Sequence, residues 1–309
     1  MENVVNIAER FGGDTVDDNH NPIASHSIFG QDSPLYFPIY EADLEFKGRK
    51  DNYPCNSHKA IIRMDGDTPQ QVGIVGKNYK VVKMQDLCHT AEEQFMSAMT
   101  DDELKDCKVS ESMAYHGGML FKQYVFPNIH ADLPDSPSGV SFRSIIINAY
   151  DGSSSFRFYN GAIDFFCFNG LVMGTFDMVV QRHTSGFSIP KFGDRVRAAI
   201  DIFFKQSETF GQWVGKDISD EEAQTVYEAI PSVSERRVQQ LMRQFRIDCQ
   251  THGRTVWALY SAATYYASHN DGEFKVRDTK NDHTAATMIN RERDILNWTN
   301  TDEFKRIAA

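Results

Sequence analysis

The chain reads as an α+β protein: an antiparallel β-sheet with one packed helix, followed by a helical C-terminal region. Three observations carry this reading. The stretch Asn148–Val172 places an apolar run, Ile145-Ile146-Ile147, ahead of Asp151-Gly152 and an alternating run, Phe156-Arg157-Phe158, behind it, the pattern of a β-hairpin. Beyond Pro190 the apolar period changes from two to 3.6. Strand-like and helix-like segments are thus segregated along the chain instead of alternating as in βα units.

The first fifty or so residues are polar and broken by Gly, Asn, Asp and Pro, with short strand character around Leu35–Tyr40. They read as an arm or extension, residues 1–58. A β-rich core, 59–190, and a helical region, 191–309, follow. In the core, Ala60–Met64, Val72–Val75 and Tyr79–Val82 read as strands, with turns at Asp65-Gly66 and Gly76-Lys77-Asn78. Met84–Met99 has helical spacing through Leu87, Ala91, Phe95 and Ala98, and the acidic stretch Asp101–Asp106 follows as its cap. Met113–Phe126 alternates as paired strand, and Asn169-Gly170 reads as a second turn dipeptide after Ile163–Phe168. In the last third, Asp194–Val214 carries a broad apolar stripe. Ser219-x-x-Glu222 opens a helix that stops near Pro231, and Ser232-x-x-Glu235 opens another. Arg254–Ser268 and Ala285–Trp298 complete the helical set.

Composition narrows the class. The 309 residues are 41% hydrophobic and 24% charged, the balance of a soluble globular chain. The first residues lack a basic segment and apolar core, and no apolar run approaches bilayer length, so the expectation is a cytoplasmic protein without a membrane partner. Five dispersed cysteines without a CxxC pair argue against both a disulfide framework and a thiolate zinc site. The net charge is −11, and residues 1–53 hold ten acidic against four basic side chains. Non-specific duplex binding ordinarily draws on a basic surface, yet residues 191–260 balance ten against ten, leaving room for a local basic patch.

No catalytic motif is legible. Gly73-x-x-Gly76-Lys77 lacks the spacing and the Ser or Thr of a phosphate loop, so a tight turn is the default. Ser153–Ser155 lacks a nucleophile elbow, and Asp151 is read as shaping its own turn. The ten histidines do not cluster; Asp17, Asp18, His20 and His26 come nearest, in the polar arm. No cofactor, metal or catalytic residue is therefore assigned.

Three features point toward a polyanion. Lys77, Tyr79 and Lys80 make a small basic-aromatic patch at a strand end. Arg143 and Arg157 lie on the two strands of the central hairpin, flanked by Phe142, Phe156 and Phe158, the interleaving that single-strand binders use. On the helix after Ser232, Arg236, Arg243 and Arg246 fall within about a quadrant, opposite Val238, Leu241 and Phe245. An ordinary solvated face and a half-buried sheet account for the same residues.

Together, Val72–Val82 with its Gly73 and Gly76, the hairpin Asn148–Phe158, the run Ala162–Val172 containing Cys167-Phe168-Asn169-Gly170-Leu171, and Thr255-Val256-Trp257-Ala258-Leu259-Tyr260 resemble the phage- and plasmid-borne family called domain of unknown function 932. The resemblance spans roughly residues 59–269, with Gly73, Gly76, Asp151, Gly152, Cys167, Asn169, Gly170 and Trp257 as its structural motif. Tyr150 stands where many members carry His, which speaks against a shared catalytic base there. The resemblance implies origin, not mechanism. The expectation is a non-enzymatic mobile-element protein of the bacterial cytoplasm that binds single-stranded DNA or RNA in replication or recombination, with homo-oligomers open. The alternative is an acidic inhibitor of a host protein target such as a nuclease.

Overall fold

A computed structural model of the chain describes residues 29–66, 68–134, 139–164, 169–171, 178–189, 193–231, 233–269, 272–276 and 283–309. The strands fall into two antiparallel sheets instead of one. The first is three-stranded, β1 (Ile39–Lys47), β2 (Asn52–Arg63) and β3 (Gln70–Gly76), in that order. Strand β2 crosses position 58, so the polar N-terminal stretch supplies strands to the same sheet as the Val72–Val75 segment.

The second sheet has six strands. Its path is β4 (Lys108–Ala114), β5 (Met119–Ala131), β6 (Val140–Ala149), β7 (Phe156–Asp164) and β8 (Asn169–Leu171), and β9 (Met178–Gln181) also pairs with β7. Strand β6 is central and buried along its whole length. That burial explains its near-continuous apolar run, since both faces of the sheet are covered. On one face, α1 (Met84–Ala98) sets Leu87, Cys88, Ala91 and Phe95 against Tyr124, Phe126, Phe142 and Phe158, and α3 (Gly193–Val214) adds Val196, Ala199, Ile200 and Phe203. On the other, α7 (Thr284–Thr299) packs Ala285, Ala286 and Ile289 over Phe121, Ile145 and Ile147.

The remaining helices are α4 (Asp220–Glu228), α5 (Glu235–His252), α6 (Val256–Ser268) and α8 (Asp302–Ala308). Helix α6 is apolar nearly all round and forms the centre of this bundle, as such a helix must. Trp257 is fully buried there, its ring 5.5 Å from that of Phe210.

Local chemistry sets the boundaries. Ser219 and Glu222 form the expected capping box at α4. At α5 the cap is Ser234, whose hydroxyl accepts from Arg237 N–H; Ser232 lies outside the described residues. The acidic stretch after α1 is a helix of its own, α2 (Asp101–Leu104), boxed by Thr100 and Glu103. Tyr79–Val82 forms no strand; Lys80 N–H donates to His183 O at 3.1 Å. The Met113–Phe126 stretch is broken by a turn, Tyr115–Gly118, in which Tyr115 and His116 hold φ of 55° and 58°. Asn169-Gly170 is part of strand β8, not a turn.

Candidate nucleic-acid interface

Of the motif residues, Gly73, Asp151 and Gly152 meet where β3 passes the loop between β6 and β7. A Cβ on Gly73 would lie 2.4 Å from Asp151 Cα and 2.9 Å from the Tyr150 carbonyl oxygen, so main chain rests on main chain there. Gly118 O accepts from the N–H groups of Tyr150 (2.7 Å) and Asp151 (3.3 Å). Asp151 Oδ1 accepts from Ser153 N–H at 2.8 Å, the turn-shaping bond expected of it. Gly152 takes a positive φ of 78°, whereas Gly76 has neither a positive φ nor a neighbour within 4 Å of a built Cβ. Gly76 does open a tight turn, its carbonyl accepting from Tyr79 N–H at 2.9 Å, but that turn does not require glycine; Gly152 supplies the positive φ and Gly73 the close packing. Asn169 and Gly170 lie on β8, Trp257 is core, and Cys167 lies outside the described residues.

The Lys77–Lys80 patch faces inward in part. Tyr79 OH donates to Ala149 O at 2.7 Å, and its ring stacks on His183 at 4.9 Å. Burial, then the nearby Asp151 carboxylate, push its phenol well above the ordinary tyrosine range. Lys80 Nζ donates to Phe187 O at 2.9 Å, and Lys77 pairs with Asp43. His183 is buried and stacks on Phe187 at 5.5 Å as well; burial lowers its pKa, outweighing the opposing effect of the Lys80 backbone.

The hairpin arginines do not form a shared surface. Arg143 is 2% exposed. It bonds Gln123 Oε1 at 2.8 Å and pairs with Glu292 of α7, Nη2 to Oε2 at 3.0 Å. A phosphate cannot reach it without lifting α7. Four residues along, Arg157 lies opposite Ile147 and is half-buried, beside the exposed Val180 of β9. Phe158 points to the opposite face and is fully buried.

On α5, Arg236, Arg243 and Arg246 are exposed while Val238, Leu241 and Phe245 are buried, as the spacing predicts. Arg243 makes a two-pronged pair with Glu273, and Arg246 shares Asp220 with Arg254. Arg243 and Arg246 border a cleft of about 560 Å³ over Val238 and Met242, walled also by Glu228 and Glu235. These pairs are half exposed and individually weak, but the cleft is as acidic as it is basic.

The feature that sequence reading missed is the open face of the three-stranded sheet. Tyr40 is 56%, Phe46 58%, Tyr53 47% and Ile74 51% exposed. Register puts Tyr40 opposite Ile62 and Ala60 between Ala42 and Ile74; beyond a register shift between Asp43 and Glu45, Phe46 lies opposite Tyr53, in step with Tyr40 by alternation along β1. The Phe46 and Tyr53 rings stack at 5.7 Å, inclined by 21°. Beyond them the hairpin turns through Gly48-Arg49-Lys50, and Lys47, Arg49 and Lys50 are all exposed. The acids of β1, Glu41, Asp43 and Glu45, alternate onto the opposite side, where Glu41 pairs with Lys59 and Asp43 with Lys77. Alternation in Ile39–Lys47 was the available signal, diluted by the polar residues around it.

No His, Cys, Asp and Glu group suited to a metal occurs among the described residues, and no described helix is long and apolar enough to cross a membrane. The molecule is an α+β protein whose three-stranded sheet exposes Tyr40, Phe46, Tyr53 and Ile74. It belongs to the family described as Domain of unknown function (DUF932), whose model matches residues 71–295. No curated protein and no solved structure matches the chain.

Proposed function

We propose that this protein is a non-enzymatic binding protein of phage or plasmid origin that engages single-stranded nucleic acid on the open face of its three-stranded sheet. The observation that carries the reading is the apposition of Tyr40, Phe46 and Tyr53 with the basic turn Lys47–Lys50. Bases stack on exposed aromatic rings whatever their sequence, each contributing about 1–3 kcal/mol, while the basic groups follow the backbone. The buried Arg143 has no part in this surface; Arg157 and the α5 arginines lie outside it.

Fluorescence anisotropy of labelled single-stranded and duplex oligonucleotides, at low and moderate salt, tests the reading. Wild type is expected to bind single strands with an affinity that falls with salt. Phe46→Ala/Tyr53→Ala is expected to lose about tenfold or more, and Arg143→Met to change nothing beyond its effect on stability. Absence of binding at low salt refutes the reading. The net charge of −11 favours a second one, an acidic inhibitor that occupies the basic groove of a host protein. That reading expects no oligonucleotide binding and an arm-dependent, salt-sensitive complex with a basic protein.

A further inference from the structure

The residues that lead into β1 cross the edge of the main sheet over a buried set of charges. Glu92 of α1 and Lys122 of β5 lie 3.3 Å apart, and Glu111 of β4 meets the same ammonium at 3.0 Å. Burial by itself would lower the Lys122 pKa; the negative charge around it, chiefly the paired Glu92 and Glu111 carboxylates, outweighs burial and holds the group above the ordinary lysine range. Tyr124 OH donates to Glu92 Oε1 at 2.7 Å.

The covering segment closes this set with contacts of two kinds. Gly30 N–H donates to Glu92 Oε2 at 2.8 Å, and the Tyr36 hydroxyl accepts from Lys122 Nζ at 2.8 Å. Phe29 lies against Phe95 and Tyr124, with ring centroids at 6.4 and 6.1 Å, and Tyr36 meets His89 edge-on at 5.6 Å. Cys88, fully buried, sits beneath. The segment lends no strand to either sheet, and Ser33 satisfies its Leu35 and Tyr36 amides locally. It then runs directly into β1, with Phe37 under the Arg63 guanidinium at 4.0 Å.

We propose that residues 29–37 are a latched strap, a cover that opens as a unit without unfolding the sheet, baring Lys122, Tyr124 and Glu92 and freeing the root of β1. Two features separate it from an ordinary core segment. It supplies polar partners, the Gly30 amide and the Tyr36 hydroxyl, to a buried Glu92 and Lys122 that a purely apolar cover would leave without them. And no strand ladder ties it to the body: the contacts described are the Gly30 amide, the Tyr36 hydroxyl and the apolar packing of Phe29, Leu35 and Phe37, which can be released together. The device stands whatever the arm binds.

Cys88 reports the opening. The full-length chain is treated with iodoacetamide at fixed pH, and labelling of Cys88 is followed by peptide mass spectrometry. Hydrogen exchange of the Ile145–Ile147 amides in β6 serves as the reference for global unfolding. Wild type is expected to label Cys88 faster than β6 opens, at a rate insensitive to low urea. Tyr36→Phe removes one hydrogen bond to a charged group and is expected to raise that rate about tenfold, leaving β6 exchange unchanged. Phe29→Ala, which keeps the polar latch and removes the ring contacts, provides a second variant with the same expectation. Labelling of Cys88 only at the rate at which β6 opens, in wild type and in whichever variant folds, overturns the proposal.

Discussion

The most decisive single test of the fold is the Arg143–Glu292 pair. Removing the guanidinium with Arg143→Met leaves the Glu292 carboxylate buried under α7 without its charge partner. Breaking a buried pair from one side costs about 3–5 kcal/mol, because the surviving charge remains desolvated. For a chain of 309 residues that is a fall in Tm of roughly 5–8 °C. Glu292→Leu strands the arginine and is expected to cost a similar amount. The double variant Arg143→Met/Glu292→Leu replaces both ions by apolar groups of similar volume and should return to within about 1 kcal/mol of wild type. The assay is urea unfolding followed by tryptophan fluorescence, with Trp298 on the same helix as Glu292. A favourable coupling of several kcal/mol across the cycle is the expected result. Single variants that cost less than about 1 kcal/mol, with coupling near zero, would refute the argument that this arginine is structural.

Three further outcomes follow from the geometry. Gly73→Ala places a methyl group against the Asp151 backbone and is expected to cost about 1–3 kcal/mol or more in urea unfolding, whereas Gly76→Ala is expected to be neutral or slightly stabilising. His183 is held below its ordinary pKa by burial, so the folded state binds less proton than the unfolded chain. Its contribution is complete above about pH 6.5 and is lost as pH falls through that value toward the lowered one, so stability should drop on acidification, and His183→Phe should flatten that limb. Glu103, bonded by Arg197, is lowered to about 2. Its contribution is present above pH 4.5 and lost as pH falls toward 2, and Glu103→Gln should remove that part of the acid transition.

What the sequence made legible was governed by local physics. Helix α4 was placed by its Ser219–Glu222 box, and α1, α3 and α7 by apolar period, to within a residue or two. The central hairpin followed from its flanking runs, although its loop, Tyr150–Ser155, is longer than a two-residue turn. Non-local features were not legible. Nothing around Arg143 announces that a helix nearly half the chain away will cover it, and a strand with one arginine among apolar residues looks the same whether that arginine is open or paired. The Tyr115–Gly118 turn was hidden because two of its positive-φ residues are Tyr and His, where glycine would have announced the turn. The arm sheet was hidden for the opposite reason: among the described residues several of its large side chains stay exposed, so its composition resembles a loop.

The ion pair across the main sheet also has a consequence during synthesis. Strand β6 leaves the ribosome with an arginine whose carboxylate partner is encoded 149 residues later. At about 5–20 residues per second, the nascent sheet spends about 7–30 s without it. Throughout that interval the face carrying Phe121, Ile145 and Ile147 is uncovered and holds an unpaired charge. That charge opposes burial of the face against another nascent chain until α7 arrives to neutralise and cover it, so Arg143 also serves as a temporary guard on the sheet it later helps to close.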